Sequence, residues 1–335
     1  MTSHRTLIGT SILLLAVVLC AANSLSDDDA AAQGAIAEVN GVRLYYEIVG
    51  NGPPLVLIHG WASNSLCWED QIPAFQKEFR VLRYDRRGFG KSGGLPDITA
   101  DPADLDALLE HVGIKSAIIL GHSQGGYVAL GFVQNYPQRV SSLILYGAAP
   151  PDGFGVSWSG SDAWPLAQLK DVARTKGVEA IWKMLANHPL LYGDQMSPEA
   201  QARVQKIRSM YSGADLLNDL PQSGQTARPT MARTVDISIP TLVITGENEM
   251  PYYRLVEDAL AYAVPNASRV VIKNGGHRAN ASQPAAFNAA VLEFLNKRAK
   301  EAEPNAKPKP APYISSAISR TIRERRLPRK SSGIF

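Results

Sequence analysis

What most constrains this chain is a series of short apolar segments that never alternate with polar residues in the way a half-exposed strand does. Leu55–Ile58, Ala117–Leu120 and Leu143–Leu145 are unbroken, and Val81–Tyr84 is nearly so. Between them lie helical stretches, Asp101–His111 and Tyr127–Asn135. Strands that are apolar on both faces must be covered on both faces, which predicts a mostly parallel central sheet flanked by helices, an α/β fold. In front of this series, Ala35–Val39 and Val42–Val49 read as strands joined at Asn40-Gly41, a strong hairpin signal.

The rhythm breaks between Pro150 and Asp236. There Val178, Ile181, Trp182 and Leu185 follow helical spacing, as do Val204, Ile207 and Tyr211. Ser197-Pro198-Glu199 reads as a helix start, with a capping Ser and Pro at the first position. The strand–helix order then resumes with Thr241–Thr245, Arg269–Lys273 and a helix over Pro284–Lys297. The reading is one core domain, 35–150 and 237–299, interrupted by a helical cap at 151–236. Trp158, Trp164, Trp182, Tyr192 and Tyr211 either line an apolar pocket under this cap or fill the cap's own core.

The two ends stand apart. Arg5, the apolar run Leu7–Leu19 and the small residues Cys20, Ala21 and Ala22 read as a signal peptide, residues 1–22, cleaved after Ala22. An uncleaved segment would instead anchor the protein to a membrane, although the run is short for a span of about 20 residues. The expected destination is the periplasm or the exterior. Cleavage leaves Cys67 as the one cysteine, so no intrachain disulfide is expected. Residues 23–34 form an acidic, alanine-rich linker.

Residues 300–335 carry nine Lys and Arg against three Glu, so the net charge of +3 belongs to the tail and the remainder sums to −3. That distribution argues against nucleic acid as a partner. The tail is rich in Pro, Lys and Ala, which predicts disorder, and Arg320–Lys330 could contact an anionic membrane surface weakly. Cys and His residues lack metal-ligand spacing, so neither a metal nor a cofactor is expected.

The chemistry centres on Gly121-His122-Ser123-Gln124-Gly125, directly after one apolar strand and directly before a helix. A nucleophilic Ser needs a strained strand-to-helix turn, and glycines two residues to either side allow neighbouring backbone to come close. One oxyanion donor should be the N–H of Gln124. The other should lie in His59-Gly60-Trp61, after the strand Leu55–Ile58, and is assigned to Trp61. His59 itself reads as a packing residue. The base must follow the nucleophile, and His277 alone among six histidines lies in a glycine-rich loop between the last strand and the final helix. The acid is sought first at Glu249, in the loop after Thr241–Thr245, with Glu247 and Asp152 as alternatives.

These residues, with Tyr84-Asp85-Arg86-Arg87-Gly88-Phe89-Gly90-Lys91-Ser92, resemble the α/β-hydrolase superfamily over about residues 35–299, most of the cap excepted. Trp61 and the Arg86–Gly90 wording resemble its esterase, perhydrolase and non-haem haloperoxidase branch. The elbow departs from that branch, which has Phe and Met where this chain has His122 and Gln124, and Glu249 stands where relatives place Asp. The resemblance implies an α/β-hydrolase fold and a serine hydrolase that forms an acyl-enzyme on Ser123. Ser rather than Asp at the elbow argues against dehalogenase and epoxide hydrolase chemistry. A small carboxylic ester or lactone is the leading substrate. Carbon–carbon bond hydrolysis and perhydrolase activity need the same residues, and a non-catalytic binding protein on this scaffold is the alternative from another class.

Overall fold

The computed structural model describes residues 34–302 other than 161, 162, 192, 193, 223 and 225. Residues 1–22, which read as a signal peptide, nearly all of the expected linker, Tyr192 and the basic tail from residue 303 onward lie outside the described residues. Asn40 and Gly41 take φ of 48° and 73°, the left-handed conformations that a two-residue hairpin turn demands. They join β1 (Ala35–Val39) to β2 (Val42–Val49). There follow β3 (Pro54–Ile58), β4 (Arg80–Tyr84), β5 (Ala117–His122), β6 (Val140–Tyr146), β7 (Thr241–Gly246) and β8 (Ala267–Ile272).

One sheet holds all eight in the order β1-β2-β4-β3-β5-β6-β7-β8. The pairs β1/β2 and β2/β4 are antiparallel and the remainder are parallel. The strand order reverses at β3, between β4 and β5. Loops leaving the carboxyl ends of β3 and β5 therefore diverge and leave a crevice, the place where open α/β sheets bind ligands.

Helices α1 (Ile72–Phe75), α2 (Asp101–His111) and α3 (Gln124–Asn135) alternate with the early strands. Four more, α4 (Leu166–Lys176), α5 (Glu179–Met184), α6 (Pro198–Ser209) and α7 (Ala214–Leu217), lie between β6 and β7. Then come α8 (Pro251–Ala263), α9 (Ala279–Ser282) and α10 (Pro284–Ala302). Val56 and Ile58 face one core layer with Leu105 and Leu108 of α2, Val128 and Phe132 of α3 and Leu260 of α8. Leu55 and Leu57 face the opposite layer with Trp68, Phe75 of α1 and Phe287 and Val291 of α10. Successive residues of β3 thus enter two cores, which is why its sequence carries no alternation. Each such side chain contributes about 1.5–3 kcal/mol when fully buried.

The helices between β6 and β7 have their own apolar cluster, in which Leu169, Ile181, Leu185, Tyr211 and Leu216 close on Ala62 and Phe89 from loops of the sheet. Ser197 accepts the Ala200 N–H at 3.2 Å and so starts α6 as its sequence predicts. Strands β1 and β2 and helix α2 match their expected bounds; most other expected elements run one to five residues further, and β8 starts two residues early and ends one residue short. The sequence reading had no counterpart for α1, α4, α7, α8 or α9.

Candidate active site

Ser123 sits on the turn between β5 and α3, with φ 55° and ψ −121°. For a residue with a Cβ this is a strained conformation, and it is held from both sides. The Ser123 N–H donates to Tyr146 O at 2.9 Å, and its carbonyl accepts from Gly126 and Ala149 at 2.8 and 2.9 Å. The flanking glycines are required by close approach. A Cβ on Gly121 would lie 2.3 Å from Gly125 O, and one on Gly125 would lie 2.3 Å from Ile58 O.

The loop after β3 closes over the serine, since a Cβ on Gly60 would meet the Ser123 Cβ at 3.0 Å. Among the described residues the backbone N–H groups of Trp61 and Gln124 have no acceptor, and both residues line the cavity that contains Ser123. Gln124 is the first residue of α3, so its amide also carries the positive end of the helix dipole. Arg86 braces both donors. Its guanidinium donates to the Gln124 side chain at 2.9 Å and to His59 O at 3.3 Å, and it pairs with buried Asp101 at 2.8 Å.

His277 follows β8 and packs edge-on against Tyr253 at 4.7 Å between ring centres. Its Nδ1–H donates to Glu249 Oε2 at 2.7 Å. The other Glu249 oxygen accepts the Met250 N–H at 2.9 Å. A buried carboxylate in this position fixes the tautomer, leaving Nε2 as the acceptor, and Nε2 is buried without a partner among the described residues. An imidazole so held can take a proton from a neighbouring hydroxyl, while Glu249 steadies the resulting charge.

The other two carboxylates are placed elsewhere. Glu247 is exposed and accepts the Asn274 N–H at 2.8 Å, which shapes the His277 loop from outside. Asp152 accepts from Tyr127 at 3.1 Å and faces Arg228 at 3.6 Å.

Two further histidines surround the site as neutral struts. His59 Nε2 accepts the Arg86 N–H at 2.9 Å, so its proton is on Nδ1, donated to Gly60 O at 2.8 Å. Burial first and the Arg86 charge second hold it down to about 3. His122 stacks on Tyr146 and donates from Nε2 to the His277 carbonyl at 2.7 Å, tying the base loop to the elbow. Burial, then the neighbouring His277, pushes His122 well below the usual imidazole range.

Three residues that the sequence reading left out also hold the site. Gly147, beyond β6, lies under His277; a Cβ there would come within 2.9 Å of His277 Cε1. Its N–H donates at 2.6 Å to Glu257 of α8. Glu257 is fully buried, and burial, followed by the Glu249 charge, raises its carboxyl well above the ordinary range. Asp194, between α5 and α6, accepts the N–H groups of Gly276 and Arg278 at 2.7 and 2.8 Å, the two residues that flank His277. A signal existed for α8, where Pro251 opens a helix and Tyr253, Val256 and Leu260 recur at helical spacing. Asp194 lies 84 residues from Arg278 in a stretch without local pattern.

Ser123, His277, Trp61 and Gln124 all face one cavity of about 400 Å³. Of the aromatics that the sequence singled out, Trp158, Trp164 and Trp182 line it, whereas Tyr211 is buried beside Asp215, to which it donates at 2.5 Å. The same Asp215 accepts from the Trp61 indole at 2.6 Å, fastening the loop after β3 to the helical segment.

Residues 53–284 match the family model described as alpha/beta hydrolase fold. A 2-hydroxy-6-oxononadienedioate/2-hydroxy-6-oxononatrienedioate hydrolase of Burkholderia vietnamiensis is 29% identical over 271 residues, covering 76% of this chain and 92% of that one. A thermophilic esterase of Thermogutta terrifontis superposes with a TM-score of 0.64 at 27% identity, over 79% of this chain and 99% of that one. A bromoperoxidase of Bacillus anthracis gives 0.64 at 26% identity, over 79% and 100%.

Proposed function

The chain belongs to the α/β-hydrolase family and is a hydrolase, and from that premise we propose that it cleaves a small carboxylic ester or lactone through an acyl-enzyme on Ser123. The observation that carries this reading is the 2.7 Å bond from His277 to Glu249, with Nε2 buried and unpartnered among the described residues on a histidine that lines the same cavity as the strained Ser123.

The Ser123 hydroxyl gives its proton to His277 Nε2 as its oxygen adds to the substrate carbonyl. The oxygen of that carbonyl becomes an anion and accepts from the N–H groups of Gln124 and Trp61. Glu249 stabilises the imidazolium while it lasts. His277 then protonates the departing alkoxide, and the intermediate collapses to the acyl-enzyme. A water molecule, deprotonated by His277, releases the acid and restores the serine. In this reading the helices of residues 151–236 act as a cap whose tryptophans form an apolar acyl or alcohol site. The sequence of residues 1–22 supports an exported enzyme, and the amino terminus of protein recovered outside the cytoplasm would then be Asn23.

A fluorophosphonate probe should label the protein once, and Ser123→Ala should abolish labelling and lower ester hydrolysis by about 10⁴-fold or more. Ester turnover at wild-type rate in Ser123→Ala would sink the mechanism. The same residues would serve carbon–carbon bond hydrolysis or perhydrolysis, and a panel of short esters, lactones, diketones and acid–peroxide mixtures separates the three.

A further inference from the structure

The cavity wall is apolar over most of its extent, through Trp158, Trp164, Trp182 and Leu190, yet four cations reach it: Lys170, Arg203, Arg208 and Arg278. Among the described residues Asp215 is the one acid on that wall. Both of its oxygens are engaged by neutral donors, the Trp61 indole and the Tyr211 hydroxyl. Arg203 is neutralised away from the cavity by Asp70. Arg278 has the Asp194 carboxylate beside it at 3.9 Å, which leaves Lys170 and Arg208 as the cations without a carboxylate partner among the described residues.

Among the described residues Lys170 and Arg208 have no carboxylate partner. Arg278 reaches no closer than 3.9 Å to Asp194, whose oxygens already accept from two backbone amides and from Ser282, and Arg278 Nε has no hydrogen-bond partner. The Arg208 guanidinium lies over the Trp182 ring at 5.0 Å, a cation–π contact that leaves its N–H groups without a hydrogen-bond acceptor among the described residues. Burial lowers both guanidinium pKa values; repulsion from Arg278 adds to the effect at Arg208, while the Asp194 carboxylate works against it at Arg278.

Half-burying cations without a carboxylate partner against an apolar wall is costly, and here the wall is that of the chamber that receives substrate. We propose that the substrate carries an ionised carboxylate remote from the scissile bond, bound by Arg208 and Arg278 with Lys170 in support, so that the enzyme is selective for half-esters and carboxy-lactones. This rests on the acyl-transfer reading of Ser123. The planar fork of Arg208 suits a carboxylate, whose two oxygens can accept side by side. The apolar wall takes the carbon chain between the carboxylate and the reacting carbonyl. Nothing covalent changes at the anion; it gains binding energy from the cations that the carboxyl-free substrate lacks.

The test compares aryl monoesters of glutaric and adipic acid with the same compounds methylated on the free carboxylate. Wild-type kcat/KM should favour the free acids by about ten- to a hundredfold, and the preference should shrink as salt is raised. Arg208→Gln should lower that ratio at least tenfold, and Arg208→Lys should restore part of it. Lys206→Gln, on the exposed side of α6, should leave the ratio unchanged. A wild-type ratio at or below one, or a ratio that Arg208→Gln does not alter, overturns the proposal. If the methylated esters are hydrolysed and the probe labels Ser123, only the anion site has failed. Without labelling at Ser123, the acyl-transfer reading itself fails.

Discussion

Glu257 shows how one side chain can couple the site to pH. In the unfolded chain its carboxyl ionises near about 4.3. In the fold it is enclosed, near Glu249, against Thr245 and the Gly147 N–H, with Arg269 as the attenuating cation. The unfolded state therefore releases its proton first as pH rises, and the native state loses stability from about pH 4.3 upward until the folded carboxyl also ionises. Glu257→Gln keeps an oxygen for Gly147 and abolishes the titration. Its melting temperature relative to wild type should climb between about pH 5 and 8, as the stability difference grows by up to about 1.4 kcal/mol per pH unit. Parallel melting curves for the two proteins across that range would show that Glu257 ionises normally in the fold. Glu249 and Glu257, eight positions apart in sequence, face one locale with different partners: one accepts from the His277 imidazole, the other from the Gly147 backbone amide.

At the level of elements, the site is assembled from the ends of β3, β5, β7 and β8, and the helical segment between β6 and β7 fastens them. Trp61 is tied to Asp215, and the loop of His277 is tied to Asp194. Asp194→Asn retains one carbonyl oxygen where two carboxylate oxygens had served two amides. The expected result is a fall in kcat of about tenfold, with KM changed far less, because a base displaced by a fraction of an ångström still permits binding. An equal effect on KM alone would mean that Asp194 serves the cavity wall and not the base. Much of this was legible beforehand. Ser123, Glu249 and His277 lie in loops that chain order and glycine placement single out, and the covered strands announced themselves by their lack of alternation. Asp194 and Glu257 were not legible, because each meets its partner across 84 to 110 residues and neither sits in a motif. The missed α8 is different, since its apolar spacing was present and went unread.

For the molecule as a whole, the helical segment shares its apolar cluster with the sheet's loops through Ala62 and Phe89. A unit whose core is completed by another cannot melt by itself, so calorimetry of the described region should give one transition. Ile181→Ala, at a fully buried position of α5, should move that transition down by about 2–5 kcal/mol. A second, earlier peak in the variant would show that the segment unfolds independently. The Asp194 contact carries a corollary for protein engineering. Transplanting such a segment from a relative is a natural way to exchange substrate range, but here the donor must bring an acceptor for two amides on either side of the general base. It must also leave room where Gly276 lacks a side chain, since a Cβ there would lie 3.0 Å from the Asp194 carboxylate. A chimera that omits this carboxylate inherits a new pocket and a loosened base together, and screening it for new substrates would mistake the second defect for the first.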